Sequence, residues 1–592
     1  NTIRIYTLHP PAFYEALLEY NRKAKNPIYL LQGVWIDEEK LVSSEDAYTK
    51  DLMNEYIQEI QRTVDVIHGN ADISDNPGHA SGTYRADISE YVLGWVLGIE
   101  WDPKMVVATD IKHKGMADYD GRYFKTEQAT PFEAWLAKTM DEAASYEADK
   151  YRWQRPMSFT NWVTTDLLKH PSEPLEDEDL VSVDPNKIRT KSEFKAGYFA
   201  SYHVYPYYPD FLNYETKYTD YVDHRGEKNS YAGYLDDLKK AHDMPVLIAE
   251  FGVPESRGMT HRNVRGWNQG AHNEQEQGDI EAHLFEDICQ EGMAGGLVFA
   301  WQDEWFKRSW NTMDLDDPNR RPFWSNVQVS EQHFGLLAFD PGASGSTLYP
   351  DGDPADWERA KMSPLPLKGA AVRAADGGKA SELKQAFVSS DERNLYVRLD
   401  FGSDALPLDW SSTGAMILLD TIPNQGQHRI PGGSGLTTDG GIDFAIDLRG
   451  PGKSRIWVDS YYDSTYYMYG SQLNMMPKLD YANVKDNGVF HQMQLVLNKG
   501  MDVPNVRGQT LRLPFDTYET GLLRYGNGNP ESPDYDSLTD VAFDGKTGIV
   551  EVRIPWQLLN VKDPSTREIM TDFWKKGLEG GEETDGFKIA LL

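Results

Sequence analysis

Two glutamates close strongly apolar runs in this chain. Glu100 ends the run in VLGWVLGIEWDP, and Glu250 ends the run in MPVLIAEFGVP. A charged side chain is costly to bury at such a place without a purpose. Two carboxylates converging on one site suit the cleavage of a glycosidic bond. One protonates the leaving oxygen and the other attacks the anomeric carbon. For either glutamate alone, a strand-end ion pair is the plainer account. At corresponding places on one sheet, the pair points to chemistry.

The elements that would position them are legible over the first 340 or so residues. Short apolar runs rich in β-branched and aromatic residues predict strands at Thr2–Thr7, Ile28–Ile36, Tyr91–Glu100, Met157–Trp162, Gly197–Tyr205, Val246–Phe251 and Gly296–Trp301. Helical stripes lie between them: Phe13, Leu17 and Tyr20; Leu52, Tyr56, Ile60, Val64 and Ile67; Phe132, Leu136 and Met140; Tyr231, Leu235 and Leu238. Strand–helix alternation over this length predicts an α/β fold, a (β/α)8 TIM barrel. Seven strands are counted, so the first of eight is expected to lie upstream of Asn1, in a longer polypeptide. In a barrel, catalytic groups stand at the C-terminal ends of the strands, where Glu100 and Glu250 fall. A stretch rich in Asp, Glu and Pro, from Pro171 to Lys191, is expected to be a surface loop.

Composition changes near Asp340. Residues 341–364, rich in Gly, Pro, Ser and Asp, read as a linker. Beyond it the helical patterns end. Short strands at Asn394–Phe401, Ala415–Asp420, Ile442–Leu448, Arg455–Asp459 and Gly548–Ile554 predict an all-β sandwich domain over residues 365–592.

The bulk properties exclude several classes. A net charge of −34 disfavours nucleic acid, anionic lipid and strongly anionic polysaccharide as partners. The single cysteine, Cys289, rules out an internal disulfide and a cysteine-rich metal site; beside the helical stripe of Ile280, Leu284 and Ile288 it reads as a buried thiol. A cysteine-poor chain suits an extracellular, periplasmic or cell-surface setting. No apolar run of transmembrane length occurs, and no Walker, HExxH or dinucleotide motif. With 16 Trp, 33 Tyr and 22 Phe, the chain has many rings of the kind that stack on sugars, although large barrels bury many too.

On these residues the first 340 or so positions resemble the retaining-glycosidase clan that holds β-galactosidases, cellulases and mannanases. More narrowly they resemble family-2-type barrels found alone or fused to bacterial polysaccharide glycosyltransferases. The resemblance implies Glu100 as acid/base after strand four and Glu250 as nucleophile after strand seven, with their carboxyl groups ~5–5.5 Å apart. It implies that Arg4 holds the nucleophile's charge and that His203 and Tyr205, in ASYHVYPYYP, form a His-x-Tyr signature whose tyrosine donates to the nucleophile. It implies Trp301, in LVFAWQDEWF, as a platform for the sugar, with Asp303, Glu304 and Trp305 near the same mouth. Trp35 and Asn161, also at strand ends, are further substrate-binding candidates. One departure stands out. The clan has Asn directly before the acid/base, bonding the sugar's 2-hydroxyl; here that residue is Ile99, so either another residue such as Asn161 takes over or the 2-position is recognised differently. Trp101 is expected to desolvate Glu100 and raise its pKa.

The later segments SSDERNLYVRLDF, AMILLDTIPNQG, GIDFAIDL and GIVEVRIPWQLLN resemble sugar-binding sandwiches of the family-9 and cytochrome-like (DOMON) type. That resemblance implies a structural calcium ion, although no EF-hand spacing occurs; catalysis is expected to need no cofactor. Trp457, Tyr461 and Tyr462 could stack on sugar or pack between sheets. Two readings therefore stand: a retaining glycoside hydrolase or transglycosidase on a β-linked polysaccharide or oligosaccharide, and a non-catalytic glycan-binding or cell-surface structural protein on a degenerate barrel.

Overall fold

The structure is a computed structural model. It describes residues 1–317, 319–320, 324–339, 342, 347–367, 383–402, 406–408, 414–432, 435–504 and 509–592. The chain forms two compact units that interleave in sequence. The first comprises residues 1–252, 281–299 and 502–511; the second comprises 253–280, 300–501 and 512–592.

The first unit is a TIM-type barrel. Its strands are β1 (Thr2–Ile5), β2 (Tyr29–Val34), β3 (Val92–Leu97), β4 (Met157–Trp162), β5 (Ala200–His203), β6 (Val246–Phe251) and β7 (Gly295–Val298). They pair in sequence order, and every neighbouring pair is parallel. The sheet curls until β1 and β7 approach each other, leaving a nearly closed cylinder. Helices α1 (Pro11–Lys23), α2 (Lys50–Ile67), α3 (Pro103–Lys112), α4 (Pro131–Tyr151) and α5 (Ser230–Ala241) supply crossovers. The stripe Leu52, Tyr56, Ile60 and Val64 is buried along α2, as its spacing predicts. A capping box of Thr130 and Glu133 starts α4: Thr130 Oγ1 accepts from the Glu133 amide, and a Glu133 oxygen accepts from the Thr130 amide.

The acidic insertion after β4 is more than a surface loop. Val183 and Ile188 are fully buried in the barrel's core, and Ile188–Thr190 pairs antiparallel with Phe124–Thr126. The apolar residues among its carboxylates anchor it, while Glu176–Asp179 forms a turn beside α3, where Asp177 pairs with Lys104 at 2.6 Å. Cys289 is exposed; its helix turns Ile288 inward and the thiol outward.

The second unit contains the sandwich. One sheet joins β8 (Leu383–Ser390), β9 (Asn394–Phe401), β14 (Val541–Asp544) and β15 (Ile549–Pro555) in the order β8-β9-β15-β14. The other joins β10 (Ala415–Asp420), β11 (Phe444–Leu448), β12 (Arg455–Asp459), β13 (Phe490–Gln492) and β16 (Lys588–Leu591) in the order β13-β12-β11-β10-β16. Alternate residues face one core: Leu395, Val397 and Leu399 from the first sheet meet Ile417, Leu419, Ile446 and Val458 from the second. The expected linker begins at residues outside those described, but its described part is packed. Leu348 and Trp357 are buried against Phe387 and Tyr396. Tyr461 and Tyr462 are also packing residues; their hydroxyls donate to Asp572 at 2.7 Å and to the Met570 carbonyl at 2.5 Å. A hairpin of Ser256–His261 and Gln269–His272 belongs to this unit, tied by a buried two-bond ion pair of Arg257 with Asp540 at 2.8 and 3.0 Å. Among the described residues, no helix is long and apolar enough to cross a membrane.

One backbone position fixes the end of β3. Gly98 has φ +87°, and a Cβ there would lie 2.2 Å from the Trp101 ring. Trp101 folds back over it, buried against Phe132 and Trp135, with its indole N–H on the Thr160 carbonyl at 2.7 Å. Gly98→Ala should therefore cost about 2–4 kcal/mol, from the positive φ and the clash together. Denaturant unfolding monitored by tryptophan fluorescence checks this; a change below about 1 kcal/mol would show that the turn relaxes.

Candidate active site

Strand ends bring six of the sequence-predicted residues into the barrel. Glu250 is the penultimate residue of β6, and its side chain is only 9% exposed. Its Oε2 accepts from the Tyr205 hydroxyl at 2.7 Å, and its Oε1 accepts from the Tyr6 hydroxyl at 2.6 Å. His203 Nε2 lies 3.1 Å and Arg4 Nη1 3.5 Å from Oε1. Arg4 is held in turn by the Ala249 carbonyl, by Thr160 Oγ1 and by the face of the Tyr6 ring, 4.3 Å away.

The electrostatics follow from those contacts. Burial pushes the Glu250 carboxyl up, but the His203 ring, the Arg4 guanidinium and the two hydroxyls outweigh it, leaving the group below its usual range. Burial and the charge of Glu250 push the Tyr205 phenol well above its usual value, so it remains a proton donor.

Glu100 stands three residues beyond the end of β3, and its side chain is 40% exposed. His203 Nδ1 is 2.7 Å from Glu100 Oε1, while Nε2 is 2.7 Å from Arg4 Nη1. Nε2 also lies 3.1 Å from Glu250 Oε1, so one imidazole bridges the two carboxylates. One oxygen of Glu100, one nitrogen of His203 and one oxygen of Glu250 all lie within 4.8 Å of one another. Oxygens within that reach are compatible with the ~5–5.5 Å between carboxyl groups of retaining glycosidases.

Such a trio has the donor types of a metal site, but its lone pairs already face Arg4 and two hydroxyl donors. A second group, Asp223, His224 and Asp287, encloses the Arg225 guanidinium, 3.0 Å from Asp223 and 2.6 Å from Asp287. Neither arrangement leaves room for a second positive charge.

Several expectations need correction. Asn161 is fully buried. Its amide N–H groups go to the Val183 carbonyl and the Tyr202 hydroxyl, and its oxygen accepts from Trp162 N and Thr165 Oγ1. It has nothing left for a sugar, so it cannot replace the missing asparagine. Ile99 is buried in the hydrophobic core. Trp101 also faces the core and does not cover Glu100. Trp301 and Asp303 fall in the second compact unit, where Trp301 is 66% exposed and Asp303 is buried, accepting from the Gly335 amide at 3.1 Å. Trp35 is 39% exposed, its ring edge-on to Tyr6 at 6.5 Å, an aromatic surface next to the Glu250 clamp.

The residue that sequence reasoning missed is Tyr6. The signal was present: Tyr6 stands two residues after Arg4, just past the end of β1, as Tyr205 stands two after His203 at the end of β5.

The surroundings of Glu100 are acidic. Burial and then the charges of Glu100 and Asp102 push the Glu38 carboxyl up; burial, Asp177 and Glu100 act in the same direction on Glu178, whose carboxylate takes the Thr164 and Tyr208 hydroxyls.

No protein-family model matches the chain, and no curated protein matches it. Among solved structures, the chain is similar to β-glucuronidase 2 of Bacteroides uniformis, with a TM-score of 0.30 and 10% identity, covering 88% of this chain and 41% of that one. It is similar to the endo-β-1,4-mannanase of Thermotoga petrophila, with a TM-score of 0.30 and 13% identity, covering 77% and 83%. It is also similar to the GH53 catalytic domain of Ignisphaera aggregans, at 0.27 and 13%, covering 50% and 73%. The chain spans about two fifths of the length of the glucuronidase. Likenesses this weak carry no argument about function, which rests on the site.

Tyr6→Phe and Tyr205→Phe each remove one hydrogen bond to a buried charge, worth about 1.5–3 kcal/mol. The Glu250 pKa should rise by about one to two units in either variant. The sign follows from linkage: a carboxyl whose folded pKa is lowered adds stability above its unfolded value and loses it as pH falls through the folded one. Each variant should therefore be less stable than wild type near pH 7, and the gap should close as pH falls, because less of the variant's stability is left to lose on protonation. Calorimetry from about pH 3 to pH 7 reads this, and superimposable curves over that range would disprove the clamp.

Proposed function

We propose that the barrel is a retaining glycoside hydrolase, with transglycosylation open to it when a sugar hydroxyl takes the place of water. Its substrate is a β-linked, uncharged polysaccharide or oligosaccharide. The observation that carries this reading is the pairing, within 4.8 Å, of a buried carboxylate kept charged and an open one.

Glu250, as carboxylate, attacks the anomeric carbon. Tyr6 and Tyr205 orient it, and Arg4 offsets its charge while the glycosyl ester forms. Glu100 gives a proton to the leaving oxygen and then takes one from water. His203 Nδ1 occupies one oxygen of Glu100, which directs the transferred proton to the other, solvent-facing oxygen. Trp35 offers an aromatic face for the sugar. The steps so written need no metal or cofactor. Carboxylates around Glu100 repel anionic sugars, which supports an uncharged substrate. An acidic, cysteine-poor chain with such a site suits work at the cell surface, in the periplasm or outside the cell.

A second reading, a glycan-binding or structural barrel without turnover, is favoured by one observation. The position before Glu100 is a buried isoleucine, and Asn161 is fully committed elsewhere.

Substitution at each glutamate separates the readings. On a panel of β-glucans, β-mannans and β-galactans, Glu250→Gln should lower reducing-sugar release by at least about a thousandfold. Glu100→Ala should keep activity on aryl glycosides with good leaving groups, and azide should rescue it with a β-glycosyl azide product. If wild type and Glu250→Gln release sugar equally slowly throughout, the barrel is not a hydrolase. An α-configured first product, read by NMR, would rule out retention.

A further inference from the structure

Two fully buried carboxylates in the second unit have no part in the proposed reaction. Asp443 directly precedes β11, and Asp459 ends β12. The antiparallel pairing of Phe444 with Val458 makes them opposite neighbours, and the Asp459 amide donates to the Asp443 carbonyl at 2.8 Å. Residues directly opposite on an antiparallel pair project to the same side of the sheet.

Each carboxylate uses only one oxygen. Asp443 Oδ2 accepts from the amides of Thr421 and Ile422, at 2.7 and 3.0 Å, and from Thr421 Oγ1 at 3.2 Å. Asp459 Oδ1 accepts from Gln427 Nε2 at 2.5 Å and from the Tyr461 amide at 3.0 Å. Asp443 Oδ1 and Asp459 Oδ2 are buried with no hydrogen-bond partner among the described residues. So are both amide atoms of Gln425, a buried residue in the 421–427 turn that wraps Asp443. Leaving such atoms unpaired costs about 1–3 kcal/mol each, and more if charged.

Among the described residues, no cation makes an ion pair with either carboxylate. Lys588 is committed to Asp420 at 2.8 Å, and His491 to Asp463 at 2.7 Å. Orphaned oxygens on two adjacent carboxylates, with an unbonded amide nearby, form a donor set that lacks its positive charge.

We propose that Asp443 and Asp459 hold one divalent cation of the calcium class, with the Gln425 amide oxygen as a further ligand. The set is all oxygen, which selects a hard cation over zinc or copper. The site is buried, which disfavours magnesium, an ion that gives up its waters reluctantly. The residues thus fit the calcium ion implied by the sandwich resemblance. Its role is structural: it pins the 421–427 turn to the ends of β11 and β12.

The rival account is a proton shared by the two carboxyls, and one experiment separates them. The full chain is stripped with a chelator, dialysed into metal-free buffer near pH 7.5, and titrated with calcium by calorimetry. The expected result is one ion per chain and a melting temperature raised by about 5 °C at about 1 mM calcium. The gain should fade towards about pH 5.5, as protons compete for the ligands. Asp443→Asn and Asp459→Asn should each abolish both effects, with magnesium much weaker on wild type. Should either variant fail to fold, the stoichiometry and pH dependence of wild type still decide. No uptake by wild type at about 1 mM calcium overturns the proposal. So does an Asp443→Asn protein that responds to calcium as wild type does, or one that is as stable as stripped wild type while wild type ignores calcium. Hydrolysis plays no part in these readouts, so they stand whether or not the barrel proves catalytic.

Discussion

Keeping one negative charge inside the barrel is the constraint on which the site depends. Glu250 is buried, and burial alone would neutralise it. Four groups prevent this: the hydroxyls of Tyr6 and Tyr205, the Arg4 guanidinium and the His203 ring. They come from the first and fifth strands or their ends, while the glutamate comes from the sixth. The clamp therefore exists only when the sheet has curled far enough to bring β1 across to β6. Thr160, on β4, takes the other end of Arg4, so a fourth strand is bound into the same arrangement. Closing the cylinder and charging Glu250 are in this sense one event.

A lowered carboxyl is not in itself a mark of function, and this barrel contains the control. Glu147, on α4, is also buried and also held below its usual range; burial is outweighed by His68, Arg155 and the Trp95 indole. Every one of those partners is a fixed donor, and no second carboxylate faces it among its contacts. Glu250 differs in having Glu100 within reach, open to solvent and linked through the two nitrogens of one imidazole. It is the asymmetric pair, rather than the perturbed residue, that can pass a proton on one side and form a bond on the other.

How far the sequence discloses this follows from which forces are local. Strand boundaries such as Met157–Trp162, Val246–Phe251 and Asn394–Phe401 were legible because residue alternation and β-branched content are local properties. Both glutamates were legible as charges that close apolar runs, whereas Arg4, His203 and Tyr205 were reached through the clan resemblance. Tyr6 was legible in principle, two residues beyond Arg4, but a tyrosine in a strand reads first as packing. Asn161 failed for the opposite reason. It occupies the right strand end, yet the insertion folds Val183 over it and consumes its amide, a long-range contact that no local pattern carries. Trp101 failed because its direction depends on the positive φ of Gly98.

The buried carboxylates of the whole chain show how donor supply decides ionisation. Glu281, near Gly252, is buried with an unbonded oxygen, and burial alone carries it up to about 8. Glu551 accepts two backbone amides, from Asp351 and Gly352, and burial still carries it up to about 8. Two neutral donors thus fail to hold a charge in such surroundings. Asp443 has three neutral donors on a single oxygen and fails as well, because an acidic neighbour adds to the burial cost. Glu250 succeeds because the His203 ring and the Arg4 guanidinium stand among its partners and its donors are shared between both oxygens. By the same measure, what Asp443 and Asp459 lack is not another hydrogen bond but a positive charge. The chain provides that charge as a side chain in the barrel; in the sandwich the proposed cation would provide it.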